Sequence, residues 1–198
     1  MSLSRKPAAR PPAAPPHKIR IIGGRFKRTP IPVLDLPGLR PTPDRVRETL
    51  FNWLNHFWDG DFAGRRVLDA FAGSGALGLE AASRGAGEVV MIEHDRRAAA
   101  ALQALCDRLG ASGVRIVAGD ALRAVPALGG RFDLALLDPP FGHDWLARIL
   151  PALQPALAAD ALVYIEAEHA VEPPPWLTLL RQERAGAVYA HLFRSAAI

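Results

Sequence analysis

A four-residue run near the middle of the chain combines groups that could hold a planar amine. Asp138, Pro139, Pro140 and Phe141 follow an apolar segment, residues 132–137, that is typical of a buried parallel strand. The Asp138 carboxylate could accept one N–H of an aromatic amine. The Pro139 carbonyl, held by the proline ring, could accept the other, and Phe141 could stack on the base. Two acceptors would aim the nitrogen lone pair, so the run predicts reaction at an exocyclic amine, with Asp138 as proton acceptor; the alternative is an ordinary proline turn.

A glycine-rich segment upstream has the spacing of a nucleoside-binding loop. Asp69 ends an apolar run, and Gly73, Gly75 and Gly78 follow in G-x-G-x-x-G order. Glu93 lies 20 positions after Gly73, at the end of the next apolar run, where a carboxylate can accept hydrogen bonds from ribose hydroxyls. The same spacing fits a dinucleotide. The segment therefore predicts an adenosine-containing cofactor without deciding which one.

A third acidic residue, Asp120, follows the third apolar run of this region. Its carboxylate could accept a hydrogen bond from the adenine amine, or it could cap the short helix expected after it. The residues beside these acids and glycines complete the predicted cofactor set: Phe71, Ser74, His94 and Ala121.

These residues need a sheet that places successive strand ends side by side. Apolar strand patterns occupy residues 67–71, 88–93, 114–118, 132–137 and 161–167. Helical patterns lie between them at 76–83, 95–109, 122–128 and 145–157, the last bent or split by its prolines. Residues 177–183 and 187–193 predict a closing antiparallel hairpin turning at 184–186. The alternation predicts an α/β fold with a mostly parallel seven-stranded sheet and helices on both faces.

Charge is unevenly distributed along the chain. Residues 1–48 hold eleven Lys and Arg against three acidic residues, whereas the whole chain has a net charge of +4. Residues 1–17 form a basic Pro/Ala-rich tail that we expect to be disordered. This tail could help to bind a polyanion or could merely aid solubility. Residues 18–60 predict a small extension: strands at 18–22 and 25–33, then a helix capped by Thr42. Residues 61–198 form the sheet domain.

The basic extension predicts a surface for a polyanion. Two of its arginines lie in the first helical turn, where the helix dipole disfavours cations, so a nearby anion would offset that cost. The predicted nucleic-acid contacts are Arg25, Lys27, Arg28, Arg40, Thr42, Arg45 and Arg47.

Several other classes of protein are disfavoured by the residue content. A single cysteine, Cys106, rules out an internal disulfide and fits a buried apolar helix face. The histidines lack metal-ligand spacing, so no metal is expected. Glu166 and Glu168 follow the fifth strand pattern and are expected to be solvated. No stretch of 18 apolar residues and no signal-peptide pattern occurs, so we expect a cytoplasmic protein, and a monomer.

Longer motifs resemble one known family. Residues 23–26, 38–54 and 68–81, with residues 138–141, look like the RsmD family, whose members are bacterial 16S ribosomal RNA guanine-N2 methyltransferases using S-adenosylmethionine. The run at residues 40–51 is much more specific than the glycine loop. The resemblance covers residue 18 to the C-terminus and implies a Rossmann-like class I methyltransferase fold. Ser74 and Ala70 stand where the family often has Thr and Leu, which are small changes.

The resemblance also implies roles for individual residues. Asp69, Gly73 and Gly75 would contact the methionine part of the cofactor, Glu93 the ribose and Asp120 the adenine. Residues 138–141 would hold the guanine, and the basic hairpin would contact 16S rRNA, either free or in a small-subunit assembly intermediate.

Other functions remain compatible with the residues. The acceptor could be a different planar amine, such as adenine N6 in DNA or RNA, or an amide. The glycine loop could serve an NAD-dependent oxidoreductase, although residues 138–141 would then be unexplained. The chain could also be a non-enzymatic RNA-binding factor in ribosome assembly.

Overall fold

The parallel strands of the main sheet alternate with helices along the chain, as the sequence pattern predicts. The structure, a computed structural model, describes residues 19–34, 43–142 and 144–196. The strands in these ranges are β1 Ile19–Arg20, β2 Pro30–Ile31, β3 Arg66–Asp69, β4 Glu88–Glu93, β5 Val114–Ala118, β6 Phe132–Leu137, β7 Leu157–Ala167, β8 Leu177–Ala185 and β9 Val188–Ser195. The α-helices are α1 Asp44–Phe57, α2 Ala76–Ser83, α3 Arg96–Leu109, α4 Ala121–Ala124 and α5 Trp145–Leu153.

Seven strands form one sheet in the order β5-β4-β3-β6-β7-β9-β8. The five from β5 to β7 are parallel, while β9 runs antiparallel to both β7 and β8. The predicted α/β fold, mostly parallel with a closing hairpin, is confirmed. The chain builds outward from β3 to β5 and then crosses to β6 on the other side of β3. Strand order therefore reverses between β3 and β6, which is where ligands bind in open α/β sheets.

Alternating side chains of the strands build a hydrophobic layer on each face of the sheet. Val67 joins a cluster that includes residues of α1, α2 and α3. Leu68 joins the opposite cluster with residues of α5. Cys106 is buried in the first cluster, and burial raises its pKa to about 11, as expected for an inert thiol. None of the helices in the described ranges combines the length and the apolar character needed to cross a bilayer.

The N-terminal hairpin is much shorter than its sequence pattern. The predicted pairing of the two strands is confirmed, but it is limited to Ile19–Arg20 and Pro30–Ile31, so the predicted strand over residues 25–33 is too long. Residues 23–28 form turns instead, with Gly24 at φ 72° and Arg28 at φ 69°. The positive φ values at Gly24 and Arg28 depart from the extended geometry that a regular ladder requires.

Several predicted boundaries in the sheet domain also differ. The helix expected at 122–128 is a four-residue helix followed by a 3-10 turn, Val125–Ala127. The last predicted helix ends at Leu153, and a 3-10 turn, Gln154–Ala156, leads into β7. β7 starts at Leu157 rather than residue 161 because a register shift and a positive φ of 55° at Asp160 carry the strand through a bulge. The closing hairpin turns at residues 186–187.

A buried carboxylate on α2 ties the N-terminal segment to the sheet domain. Glu80 is fully buried and accepts hydrogen bonds from the backbone N–H groups of Ile22 (2.7 Å) and Gly23 (2.8 Å). Arg84 Nε donates to the same carboxylate at 2.8 Å, and Arg47 lies 4.0 Å from it. Since the hydrophobic cluster also continues across residue 60, packing is not interrupted there, and the proposed domain division remains a prediction.

We expect Glu80→Ala to lower the free energy of unfolding by about 3–5 kcal/mol, because it leaves the Ile22 and Gly23 N–H groups without their acceptor and removes the buried carboxylate that pairs with Arg84 and Arg47. Glu88→Ala is the matched control. Glu88 pairs with Arg66 at the surface, so its loss should cost about 1 kcal/mol or less. Denaturant titration measures both values. Equal losses in the two variants would show that Glu80 does not hold the segment.

Candidate active site at the carboxyl ends of the strands

Three carboxyl groups meet where the strand order reverses. Asp69 ends β3, Glu93 ends β4 and Asp138 follows β6, and these three strands are adjacent. Asp69 pairs in register with Leu136 and Met91, so Asp138 and Glu93 lie two positions further along the neighbouring strands. Because side chains two apart share a face, the three acids point to the same side of the sheet.

Asp69 is the most constrained of these groups. Its side chain is 1% exposed and accepts a hydrogen bond from Gly78 N at 2.9 Å through Oδ2. Its other oxygen, Oδ1, has no hydrogen-bond partner of good geometry within the described part of the chain, although the Phe71 backbone N–H is near enough to the carboxyl to lower its pKa. Burial raises the pKa of Asp69 to about 7, and the nearby Asp138 and Glu93 carboxyls add to the increase. A buried acceptor of this kind suits a ligand that brings an N–H donor or a positive charge.

The predicted glycine loop lies directly over these acids. Gly73 N donates to Glu93 Oε2 at 2.7 Å, while Asp95 N donates to the other Glu93 oxygen at 2.7 Å. Gly75 has φ 78°, and a β-carbon there would collide with Leu102 of α3. Both carboxylate oxygens keep a second lone pair, so Glu93 can hold the loop and still accept from a ligand hydroxyl.

The third glycine of the motif has a packing role. A β-carbon on Gly78 would collide with Met91 of β4 and would approach Asp69 Oδ2 to 3.1 Å. Glycine therefore lets α2 pack tightly on the sheet and brings its N–H to the Asp69 carboxyl. Of the other predicted residues here, Ser74 is half-buried, and Phe71 makes an edge contact with Trp145 at 5.7 Å between ring centroids.

A second part of the site lies one strand further out. An open groove beside β5 is bordered by His94, Val117, Gly119, Asp120 and Arg123. Asp120 Oδ1 accepts from Leu122 N at 2.7 Å, so Asp120 caps α4, as one of the two interpretations predicted. The capping bond uses one oxygen and leaves the adenine interpretation open. Ala121, by contrast, is 5% exposed and offers mainly its backbone.

Residues 138–141 form a short ledge after β6. Asp138 and Phe141 are half-buried, Pro139 is buried and Pro140 is exposed. The ledge turns at Gly142, which has φ 81° and donates its N–H to Glu168 Oε2 at 3.0 Å. Glu168 is exposed as predicted and supports this turn.

The predicted nucleic-acid residues divide into three groups. Arg25, Lys27, Arg28 and Arg45 are exposed, whereas Arg40 and Thr42 lie outside the described residues. Arg47 is fully buried, so the prediction that it contacts RNA is wrong. Its guanidinium donates to Arg20 O at 3.0 Å and to Asp44 Oδ1 at 2.6 Å. Internal acceptors, rather than a bound anion, therefore compensate this cation in the first turn of α1.

Two buried carboxyls were missed by the sequence interpretation. Glu80 follows the glycine loop on a helix with almost no polar residue, and that isolation is a signal of a buried role. Glu166 was expected to be solvated, but it is 3% exposed and accepts a hydrogen bond from Tyr164 at 2.9 Å. The described residues contain no group of three or more His, Cys, Asp or Glu side chains arranged to hold a metal ion.

Comparison with known proteins places the fold and the motifs in one family. The family model described as "Conserved hypothetical protein 95" matches residues 19–194. The chain is 41% identical over 188 residues to the Escherichia coli K12 protein "Ribosomal RNA small subunit methyltransferase D", covering 91% of both chains. It is 36% identical over 187 residues to the Haemophilus influenzae protein of the same name, covering 90% of this chain and 94% of that one.

A solved structure supports the same assignment. The Escherichia coli protein yhhF superimposes with a TM-score of 0.81 at 40% sequence identity, covering 91% of this chain and 99% of that chain. Similarity therefore extends over the sheet, the glycine loop and the N-terminal segment together. The chain belongs to the RsmD family of methyltransferases.

Proposed function

We propose that this protein transfers a methyl group from S-adenosylmethionine to the exocyclic N2 amine of a guanine in 16S ribosomal RNA. The observation that carries the proposal is the adjacency of Asp69 and Asp138 across the switch between β3 and β6. Asp69 adjoins the glycine loop, and Asp138 begins the ledge that suits a planar amine. A cofactor and an acceptor base bound at these two groups would meet at one point.

The residues around the glycine loop fit the proposed cofactor. S-adenosylmethionine, when bound, supplies an electrophilic methyl group on a sulfonium. The buried Asp69 oxygen that lacks a partner among the described residues would accept from its ammonium group. Glu93 would accept from the ribose, and Asp120 and His94 border the groove available to the adenine. The predicted role of Asp120 as an adenine acceptor stays a prediction.

The ledge residues would prepare the acceptor amine. Asp138 would accept one N–H and the Pro139 carbonyl the other, so the nitrogen lone pair is directed out of the ring plane. Phe141 would stack on the base and oppose its rotation. As the new bond forms, the amine becomes acidic and Asp138 takes its proton. Positioning and charge stabilisation supply most of the rate enhancement in such a site.

The electrostatics of the site argue against a dinucleotide. Asp69, Glu93 and Asp138 lie on one face, and each of the latter two raises the pKa of the first. A pyrophosphate brought to this position would be repelled, whereas a sulfonium and an ammonium would be attracted. The negative charge of the site therefore disfavours an NAD-dependent oxidoreductase, which would also leave residues 138–141 unexplained. An adenine amine would fit the ledge chemically, and the relatives named above are the reason to favour rRNA.

The basic N-terminal hairpin would bind the RNA. Arg25, Lys27 and Arg28 are exposed on a turn that α2 holds in place through Ser83 and Glu80. Since the target base in a folded RNA is stacked, it must leave its stack to reach Asp138. Phosphate contacts from the hairpin would hold the backbone during that step.

The direct test is mass-spectrometric mapping of rRNA from cells that lack the protein. We expect one N2-methylguanine of the small subunit to disappear and to return when the gene is restored. Tritium transfer to rRNA, DNA and protein, compared side by side, separates the acceptor classes. Label in DNA but not in rRNA would overturn the proposal.

We expect Asp138→Ala to reduce methyl transfer by about 100-fold or more, because the variant loses the acceptor that aims the amine and takes its proton. Calorimetric binding of S-adenosylhomocysteine should be retained. Asp144→Ala is the matched control, since Asp144 is exposed on the same loop and its side chain caps no helix N–H. A fully active Asp138→Ala enzyme would refute the proposed role of Asp138.

The raised pKa of Asp69 predicts opposite pH trends for stability and for binding. Between about pH 4 and pH 7, Asp69 is protonated in the folded cofactor-free protein but ionised in the unfolded chain. The free energy of unfolding should therefore fall as pH rises through that window. Binding of S-adenosylhomocysteine should tighten roughly tenfold from pH 6 to pH 8 as Asp69 ionises. Asp69→Asn should flatten both trends in thermal melts and calorimetry. Unchanged trends in Asp69→Asn would assign them to another group.

The salt dependence of RNA affinity tests whether the N-terminal hairpin binds RNA. A variant with Arg25, Lys27 and Arg28 changed to Ala should reduce the slope of log affinity against log salt by about 2, because fewer counterions are released from RNA. Arg108→Ala, an exposed arginine at the end of α3, should leave the slope unchanged. Filter binding across a salt series measures both. A triple variant with the wild-type slope would deny the hairpin this role.

A further inference from the structure

Glu166 lies beside the acceptor ledge rather than in solvent. Leu137 of β6 pairs in register with Ile165 of β7, so Asp138 and Glu166 are the next residues along adjacent parallel strands. Neighbouring strands are separated by about 5 Å. Leu136 and Tyr164 belong to the same hydrophobic layer, and Glu166, two positions after Tyr164, shares their side of the sheet.

The Glu166 side chain has a fixed position. It is 3% exposed, and Tyr164 donates its hydroxyl proton to Glu166 Oε1 at 2.9 Å. Tyr164 is itself fully buried, and burial raises its pKa well above the usual value, with further contributions from Glu166 and Asp138. The phenol therefore remains protonated and lies within electrostatic reach of both carboxyls. It holds one oxygen of Glu166 in the interior, at the level of the ledge.

The edge of guanine presents donors in a pattern that two adjacent carboxyls can match. Its N1–H lies next to its N2 amine, so a base held by Asp138 through the amine points N1–H to one side. Adenine and 2-aminopurine have a lone pair at N1 instead. A carboxyl oxygen facing that lone pair would meet a second acceptor with no hydrogen between them, and this repulsion is costly in an apolar setting.

We infer that Glu166 accepts the N1–H of the target guanine while Asp138 accepts from N2, and that Glu166 thereby selects guanine over other amine-bearing purines. The inference rests on the proposed function and adds a specificity-determining residue to it. Tyr164 is a positioning residue, because its hydroxyl orients the Glu166 carboxyl and does not touch the base. Removing the acceptor should therefore change the choice of base more than the binding of the cofactor.

The test compares RNAs that differ at one base. Once the methylated guanine is mapped, splint ligation can place guanine or 2-aminopurine at that position, and both bases carry the reacting amine. The wild-type enzyme should favour guanine in kcat/KM by at least about tenfold, since a site built around a hydrogen bond rejects an analogue that lacks it. In Glu166→Gln the guanine value should fall about tenfold while the 2-aminopurine value holds or rises, because an amide N–H can donate to N1.

Two controls separate selection from folding. Glu172→Gln changes an exposed glutamate and should keep the wild-type ratio. Thermal melts and S-adenosylhomocysteine binding report whether Glu166→Gln is folded, and Gln keeps an acceptor for Tyr164. A structural role alone would lower both kcat/KM values together and leave their ratio within twofold of wild type, which would overturn the inference.

If Glu166→Gln does not fold, measurements on the wild-type enzyme can still refute the inference. Equal kcat/KM on guanine and 2-aminopurine RNA would refute selection at N1. Failure to methylate any guanine in small-subunit rRNA would instead refute the proposed function, so the two failures are distinguishable.

Discussion

Burying a carboxyl group among apolar strands is unfavourable, and the site is organised around that constraint. Asp69 is enclosed at the end of β3 with one oxygen bonded to Gly78 N and the other without a partner among the described residues. Two further acids, Glu93 and Asp138, add negative charge beside it. A local excess of negative charge therefore destabilises the cofactor-free protein, and a bound cationic ligand would neutralise it. The same charges would favour a sulfonium over a pyrophosphate, in line with the proposed cofactor.

The glycine loop meets this constraint through packing as well as chemistry. Gly78 has no side chain, so α2 approaches β4 closely enough to bring a backbone N–H to Asp69. The same helix carries Glu80, which binds the backbone of Ile22 and Gly23. One helix thus contacts both Asp69, the acid proposed to bind the cofactor, and the N-terminal segment proposed to bind RNA.

Much of this arrangement could be predicted because it depends on local patterns. Apolar runs, glycines and strand-end acids located the sheet and brought together Asp69, Glu93 and Asp138. Boundaries failed where the backbone departs from regular geometry, as at the bulge near Asp160 and the turn ending at Arg28. Neither Asp160 nor Arg28 is a glycine, so the sequence gives no strong signal for a positive φ at these two positions.

Long-range partners could not be predicted from the same patterns. Arg47 looked like a surface cation because two of its partners, Glu80 and the Arg20 carbonyl, are distant in sequence. Glu166 looked solvated because its burial depends on a neighbouring strand. In both cases burial of the side chain depends on neighbouring elements that only the folded sheet brings together.

The buried thiol of Cys106 gives this protein a practical property. It is the single cysteine of the chain, 3% exposed, and its high pKa leaves almost no thiolate at neutral pH. A cysteine introduced on the exposed N-terminal turn would therefore react with a maleimide dye in preference to the native one. Fluorescence could then follow the docking of RNA on that turn in real time, with no need to mutate the core.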